Sequence, residues 1–299
     1  MSSQTPTKTR ASAHAAPQPL QAPSRKKFWL LRSMVAALFM VGAGSLLYSP
    51  AAQWMTQRDE SRVAETLSAS VSAAPRVELD TKLAQAHAYN EDLARGATLE
   101  GYDYFSMVSL YPKEALARLR IPSINLDQTV HHTMSEAVLQ TGLGHMEGTS
   151  LPVGGVNTNA VIGGHRGLAT AVGLTFLNKV SVGDEILIES LGQNLKYQVI
   201  STEVLTPGEA DMQPVQAGRD LVTLVTCTPI GLNTERIVVV AERVLPGLPD
   251  GSISSASDLP GFPWWALGMG AATLISTLYL TYPLYHAKLR RLTPWRNQQ

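Results

Sequence analysis

The sequence predicts a mainly-β domain of short strands, a barrel or sandwich, preceded by a helical stalk and set between two membrane-length apolar segments. Three observations carry this. Between residues 116 and 247, runs of strand formers alternate with Gly, Pro and Asn breaks, the punctuation of a barrel or sandwich rather than of a doubly wound sheet. Only 16% of the 299 residues are charged, which indicates a chain partly out of water. Residues 28–50 and 262–285 each approach the ~20 apolar residues that span a hydrocarbon core as a helix.

Residues 1–27 hold Ser, Thr, Ala, Pro, Gln and scattered bases, too few apolar groups to fold, and are read as a disordered tail. The first apolar segment carries only Arg32, the second no charge. Trp29, Tyr48, Trp264, Trp265, Tyr282 and Tyr285 mark their ends, where aromatic rings favour the headgroup level. Arg25, Lys26, Lys27 and Arg32 precede or open the first; Lys288, Arg290, Arg291 and Arg296 follow the second. Residues 248–263 contain no Lys or Arg, so the positive-inside rule places both termini in the cytoplasm and residues ~55–260 outside the plasma membrane. The first segment is read as an uncleaved anchor rather than a signal peptide.

Residues 51–98 form the stalk. A helix continues to residue 74, Pro75 interrupts it, and a second follows with Leu79, Leu83, Ala86 and Leu93 on one face until Gly96. In the domain, Arg118 and Arg120 alternate with Leu119 and Ile121 in a half-buried strand stopped by Pro122. Further strands are expected at 159–163, 185–190, 195–204, 221–227 and 236–244, with a short helix at 135–141 that Ser135 can cap. About 130 residues suffice for one core. A linker at 248–261 leads to the second apolar segment, and a basic tail occupies 286–299.

The lone cysteine, Cys227, cannot make an internal disulfide and closes the strand-forming run from Asp220 to Thr226. Thr228, Pro229 and Gly231 then turn the chain. A thiol at a strand mouth is held rigidly yet can reach a substrate, although most free cysteines are small buried hydrophobes. A nucleophilic thiol needs a base or cation nearby. Of seven histidines, His14 and His286 fall on the cytoplasmic side and His87 on the stalk, leaving His131, His132, His145 and His165. His165 follows a strand ending in Gly163 and Gly164, in a loop held by a rigid element. Arg236 opens the next strand; paired as a hairpin, the two strands would set it across from Cys227, where a guanidinium can face an oxyanion. Spacing supports Cys–Arg proximity and leaves open whether His165 joins them. No metal-ligand spacing occurs, so neither metal nor cofactor is expected.

Thr223-Leu224-Val225-Thr226-Cys227 resembles the TLxTC signature of the sortases, membrane-bound cysteine transpeptidases of Gram-positive bacteria. The resemblance runs from Arg118 to Val244. It includes Ile121-Pro122-Ser123-Ile124, residues 144–155 (GHMEGTSLPVGG), Gly164-His165-Arg166-Gly167, and residues 227–236 (CTPIGLNTER). It implies a closed sortase-type β-barrel in which Cys227 is the nucleophile, His165 the general acid and base, and Arg236 the stabiliser of oxyanion or substrate. Thr226 and Thr228 are candidate substrate contacts. His132 and His145 fall outside the catalytic position.

The two apolar segments, the stalk and the GTSLPVGG run resemble class C sortases, which polymerise pilins. That class carries an Asp-Pro-aromatic lid. Residues 99–115 stand in its place, with Asp103 and Phe105 at the acidic and aromatic positions and Tyr104 replacing the proline. Glu235 departs from the histidine often found before the arginine. The implied partners are secreted pilins or surface proteins with an LPxTG-like sorting signal, a pilin lysine as acyl acceptor and the lipid membrane; no nucleic acid is expected. A housekeeping sortase that uses a cell-wall precursor, a tethered cysteine hydrolase and a non-catalytic β-barrel binding module are the alternatives.

Overall fold

The structure, a computed structural model, describes residues 25–108, 115–211, 213–245 and 260–292, with side chains described as far as 286. Residues 1–24 of the expected N-terminal tail, 248–259 of the linker and 293–299 of the C-terminal tail lie outside them, while residues 25–27 and 286–292 are helical. The chain divides into two compact units, residues 43–270 and residues 1–42 with 271–299. In the second of these, Arg32 donates to the Tyr279 carbonyl, its guanidinium 3.9 Å from the centre of that ring.

Helix α1 runs unbroken over Arg25–Ala73, with Pro50 inside it. Among the described residues it is the one helix long and apolar enough to cross a membrane, by length and composition. Pro75 adopts an extended conformation and starts α2, Arg76–Ala94, which ends at Arg95 and Gly96, the latter at φ +66°. A one-turn helix, α3, covers Tyr104–Met107. The second apolar stretch forms a helix over Trp264–Leu292.

Eight strands close the barrel: β1 Ala115–Ile121, β2 Leu126–His132, β3 Leu143–His145, β4 Thr158–Gly163, β5 Glu185–Ser190, β6 Gln193–Leu205, β7 Asp220–Thr228 and β8 Glu235–Arg243. Around it they run β1-β2-β3-β4-β7-β8-β6-β5, with β2/β3 and β4/β7 parallel and the other pairs antiparallel. Closure gives each of these strands a neighbour on both sides. Two strands went unforeseen. β3 has three residues, too few for alternation to show, and polar Asp127, Gln128, Thr129, His131 and His132 obscure β2. Ser135 precedes a helix over Glu136–Leu139, shorter than the expected 135–141, and its side chain makes no capping bond.

Alternation sorts the strand residues into two faces. Val130, Leu143, Ala160, Ile162, Val222, Leu224, Ile237 and Val239 point into the main core. Val161, Val225 and Val238 face outward and form a second cluster with Ala210 of the helix Pro207–Asp211. The stalk is not free-standing. Ala86 and Tyr89 of α2 enter the main core, while Asn90 donates to the Leu151 carbonyl and accepts from the Leu151 amide.

The half-buried reading of β1 needs correction, because Arg118 is wholly buried. Leu67 and Val71 of α1 pack on Ala115, and Ser68 donates to Glu189 (2.8 Å), so α1 covers the face expected to meet water. Arg118 answers burial with a two-pronged bond to Asp127 (2.8 and 2.7 Å) and lies 4.0 Å from Glu189.

Candidate active site

Cys227 and Arg236 are partners in the β7/β8 register, as Val225 and Val238 are two positions earlier. Antiparallel partners stand roughly 5 Å apart at Cα and project to the same side. Val225 and Val238 face outward, so alternation places Cys227 and Arg236 on that outer face too. Arg236 donates to the carbonyls of Asn233 and Glu235, both at 3.0 Å. These bonds hold the guanidinium at the mouth of the hairpin.

The parallel neighbour brings in the histidine. β4 runs beside β7 with Gly163 opposite Val225, and the Gly164 amide extends the ladder by donating to the Val225 carbonyl. The Thr226 hydroxyl closes the same junction, donating to the Gly164 carbonyl (2.7 Å). Carried on by two residues, this register sets His165 alongside Cys227. Val161, Gly163 and His165 share one parity, the outward one. Both glycines lie under close neighbours: a Cβ on Gly163 would stand 2.2 Å from Met134 Cε, at the end of a flexible side chain, and one on Gly164 2.6 Å from Leu143 Cδ2 and 2.9 Å from Leu174 Cγ.

Around His165, the Arg166 guanidinium donates to the Thr228 hydroxyl (2.8 Å) and to the Thr175 carbonyl. The Leu174 amide donates to the His165 carbonyl (2.9 Å). The imidazole is half-buried, its Nε2 3.3 Å from the Glu136 carboxylate. A side-chain bond from Gln140, and then His165, hold the Glu136 carboxyl below the usual carboxylate range. Sequence reading missed Glu136; the signal was Ser135, which starts a short helix whose first residue is this carboxylate. Thr226 is buried and Thr228 accepts from Arg166, so both proposed substrate contacts also brace the junction between the cysteine strand and the histidine loop.

The lid-like segment is seated on inward-facing residues. His132 and His145 share the inward parity of Val130 and Leu143 and are wholly buried at this end of the barrel. The Tyr104 hydroxyl lies 2.7 Å from His145 Nδ1 and its ring stacks on that imidazole (centroids 5.9 Å, 24°). His132 meets Tyr104 edge-on at 5.2 Å. His145 Nε2 lies 2.8 Å from the Ser150 carbonyl, which can only accept. The tautomer is therefore fixed: Nε2–H donates to Ser150 and Nδ1 accepts from Tyr104. Burial pushes the His145 pKa down to about 4, with His132 adding to the shift and the Ser150 bond opposing it. Burial likewise pushes the Tyr104 phenol up, which keeps it a donor. Phe105 is 52% exposed, and Asp103, also exposed, precedes α3 and accepts from Ser106. Among the described residues Asp103 is not a partner of Arg236. Residues 109–114 of the expected lid lie outside the described residues.

Among the described residues no group of three or more His, Cys, Asp or Glu could hold a metal ion. The arrangement offers a thiol and a fixed guanidinium on paired strands and, in the loop that follows the neighbouring strand, an imidazole beside a carboxylate. That set suits attack on a carbonyl with proton transfer to a leaving amine.

A family model described as Sortase domain matches residues 119–244. Among solved structures, sortase C1 of Streptococcus agalactiae, in complex with MTSET, is 41% identical with TM-score 0.54, over 58% of this chain and 94% of that one. Streptococcus pneumoniae sortase C is 34% identical with TM-score 0.58, over 63% and 99%. Clostridium perfringens sortase C, solved with the C-terminal cell wall sorting motif, is 34% identical with TM-score 0.56, over 61% and 98%. Sortase A of Bacillus anthracis is 26% identical over 136 residues, 46% of this chain; the chain spans 63% of the length of that curated relative.

Proposed function

The chain belongs to the sortase family of cysteine transpeptidases, and from that premise we propose that it is a membrane-anchored, pilin-polymerising sortase of class C. The observation that carries the reading is the strand register: Arg236 opposite Cys227, and Gly163, two residues before His165, opposite Val225, two residues before Cys227. Relatives solved as sortase C, one with a cell wall sorting motif and one discussed for pilin substrate specificity, support the class.

In this reading Cys227 Sγ attacks the Thr–Gly carbonyl of an LPxTG-like sorting signal on a secreted pilin or surface protein. The tetrahedral oxyanion meets the Arg236 guanidinium, and His165 protonates the departing glycine amine. A thioester to Cys227 remains. His165 then takes a proton from the incoming pilin lysine, whose amine attacks the thioester, expels the thiolate and forms an isopeptide bond. α3 with its flanks acts as a lid over this site; a lid mutant of the S. agalactiae enzyme is a solved relative. α1 anchors the chain and the helix at Trp264–Leu292 is a second span, with both termini cytoplasmic and the barrel outside; the Arg32–Tyr279 bond supports pairing of the two.

The test incubates the full chain in detergent with a sorting-signal peptide and a pilin domain. Mass spectrometry should find a thioester on Cys227 that transfers to lysine, and neither species with Cys227→Ala. Release of free acid alone, with acceptor present, would mark a hydrolase. No adduct at all sinks the enzyme.

A further inference from the structure

The loop bearing His165 is gripped from two sides, and only one of them belongs to the barrel. Its base is bonded to β7 through the Gly164–Val225, Thr226–Gly164 and Arg166–Thr228 contacts. Its tip is bonded to α1 instead. Gln53 Nε2 donates to the Leu168 carbonyl (2.9 Å), and Thr56 Oγ1 donates to the Thr170 carbonyl (2.6 Å). Gln53 and Thr56 stand three apart on α1, the spacing that puts two side chains on one helix face.

Two glycines in left-handed conformations bound the gripped segment, Gly167 at φ +76° and Gly173 at φ +47°. A Cβ on Gly173 would stand 2.5 Å from the His165 carbonyl oxygen, and one on Gly167 2.7 Å from Ile230 Cγ2. The segment between them therefore has permissive joints at both ends, close to His165 at one end and to the turn after Cys227 at the other. What holds its tip determines where it lies. The same turn of α1 carries Trp54, whose indole donates to the Gly261 carbonyl (2.8 Å) and meets Trp265 edge-on at 6.1 Å. Gln53 lies five residues beyond Tyr48, the end of the first apolar stretch, roughly 7.5 Å of helical rise.

We propose that Gln53 and Thr56 are positioning residues for His165: the juxtamembrane turn of the anchor helix sets the histidine loop and, through it, the approach of the imidazole to Cys227. The inference rests on the transpeptidase reading of those two residues. It makes the anchor helix a working part of the site as well as a tether.

The experiment uses the full chain in detergent micelles, with the rate of thioester formation on a sorting-signal peptide as readout. Gln53→Glu with Thr56→Val keeps shape and removes both donors at pH 7. Acylation at saturating peptide should fall about tenfold, the scale on which losing two neutral hydrogen bonds depletes a loop conformation. KM should stay within about twofold. Thr56→Ser should retain the wild-type rate while Thr56→Val loses part of it, and this pair decides the matter if the double variant loses its near-ultraviolet dichroism. A wild-type rate in the double variant overturns the proposal, as does a loss confined to KM or a Thr56→Ser no better than Thr56→Val. A wild-type chain that forms no thioester overturns the transpeptidase reading instead.

Discussion

Lowering the pH from 7 to 5 should destabilise the barrel by about 2 kcal/mol through a single imidazole, that of His145. Burial favours its neutral form and moves its pKa from 6.5 to about 4, while Nδ1 is already committed as acceptor to Tyr104. The unfolded chain restores the ordinary value. Between those two pH values the unfolded state binds more protons than the folded one, so stability must rise with pH across the window. The contribution is complete above pH 6.5 and is lost as pH falls toward 4. Integrating the two titrations from pH 7 to pH 5 gives about 2 kcal/mol, and carrying the acidification to pH 4 about 3 kcal/mol.

The assay is urea unfolding of the full chain in detergent, followed by the near-ultraviolet dichroism of the buried tyrosines. Other groups also titrate in this range, so the measurement is a difference. His145→Gln keeps a donor for Ser150 and an acceptor for Tyr104 without titrating, and should lose about 2 kcal/mol less than wild type between pH 7 and 5. Parallel losses in the two proteins would refute the argument. They would mean that His145 is reached by water and keeps an ordinary pKa.

Three further perturbations test the fold and the site. Arg118→Ala leaves Glu189 buried without its arginine and Asp127 with Arg120 alone, 3.6 Å away, and should cost about 3 kcal/mol by urea unfolding; a loss under about 1 kcal/mol would show that the ion pair is replaceable by water or by Arg120. Gly173→Ala forces a side chain into a left-handed conformation against the His165 carbonyl and should cost about 1–3 kcal/mol and slow acylation; a variant as stable and as fast as wild type refutes the tight packing of that loop. Tyr104→Phe removes the donor to His145 and should loosen α3 by about 1–2 kcal/mol, speeding alkylation of Cys227 by a bulky reagent severalfold; an unchanged rate means α3 is part of the barrel wall rather than a lid.

The strands that the sequence announces are those with visible alternation, β1 and β4 to β8 apart from end residues. β2 and β3 escape because their inward positions include Gln128, His132 and His145, polar groups that the barrel end and α3 bury together. The same blindness covers Arg118. A sequence shows that it alternates with Leu119 and Ile121, but not that a helix fifty residues earlier lies across it. At the site, the Cys227–Arg236 pairing was legible because both lie on consecutive strands joined by a short turn. The place of His165 was not, since it follows from a parallel pairing between β4 and β7 that local spacing cannot express.

That difference bears on which histidine can carry a proton. Four candidates lie in the domain, and their surroundings separate them more firmly than their neighbours in sequence do. His145 is held neutral, with both nitrogens committed, by burial that would oppose any charge during a reaction at neutral pH. His132 shares its inward face and is wholly buried against Tyr104 and Phe105. His131 looks outward but is covered by α1, its Nε2 3.8 Å from the buried Glu60. His165 alone combines partial exposure, a solvent-facing carboxylate and the outward parity of Cys227 and Arg236. A proton carrier must tolerate both of its charge states, and half-burial beside Glu136 permits that where a sealed core does not. Strand parity and solvation therefore support His165 as the proposed proton carrier, independently of the glycines that first drew attention to it.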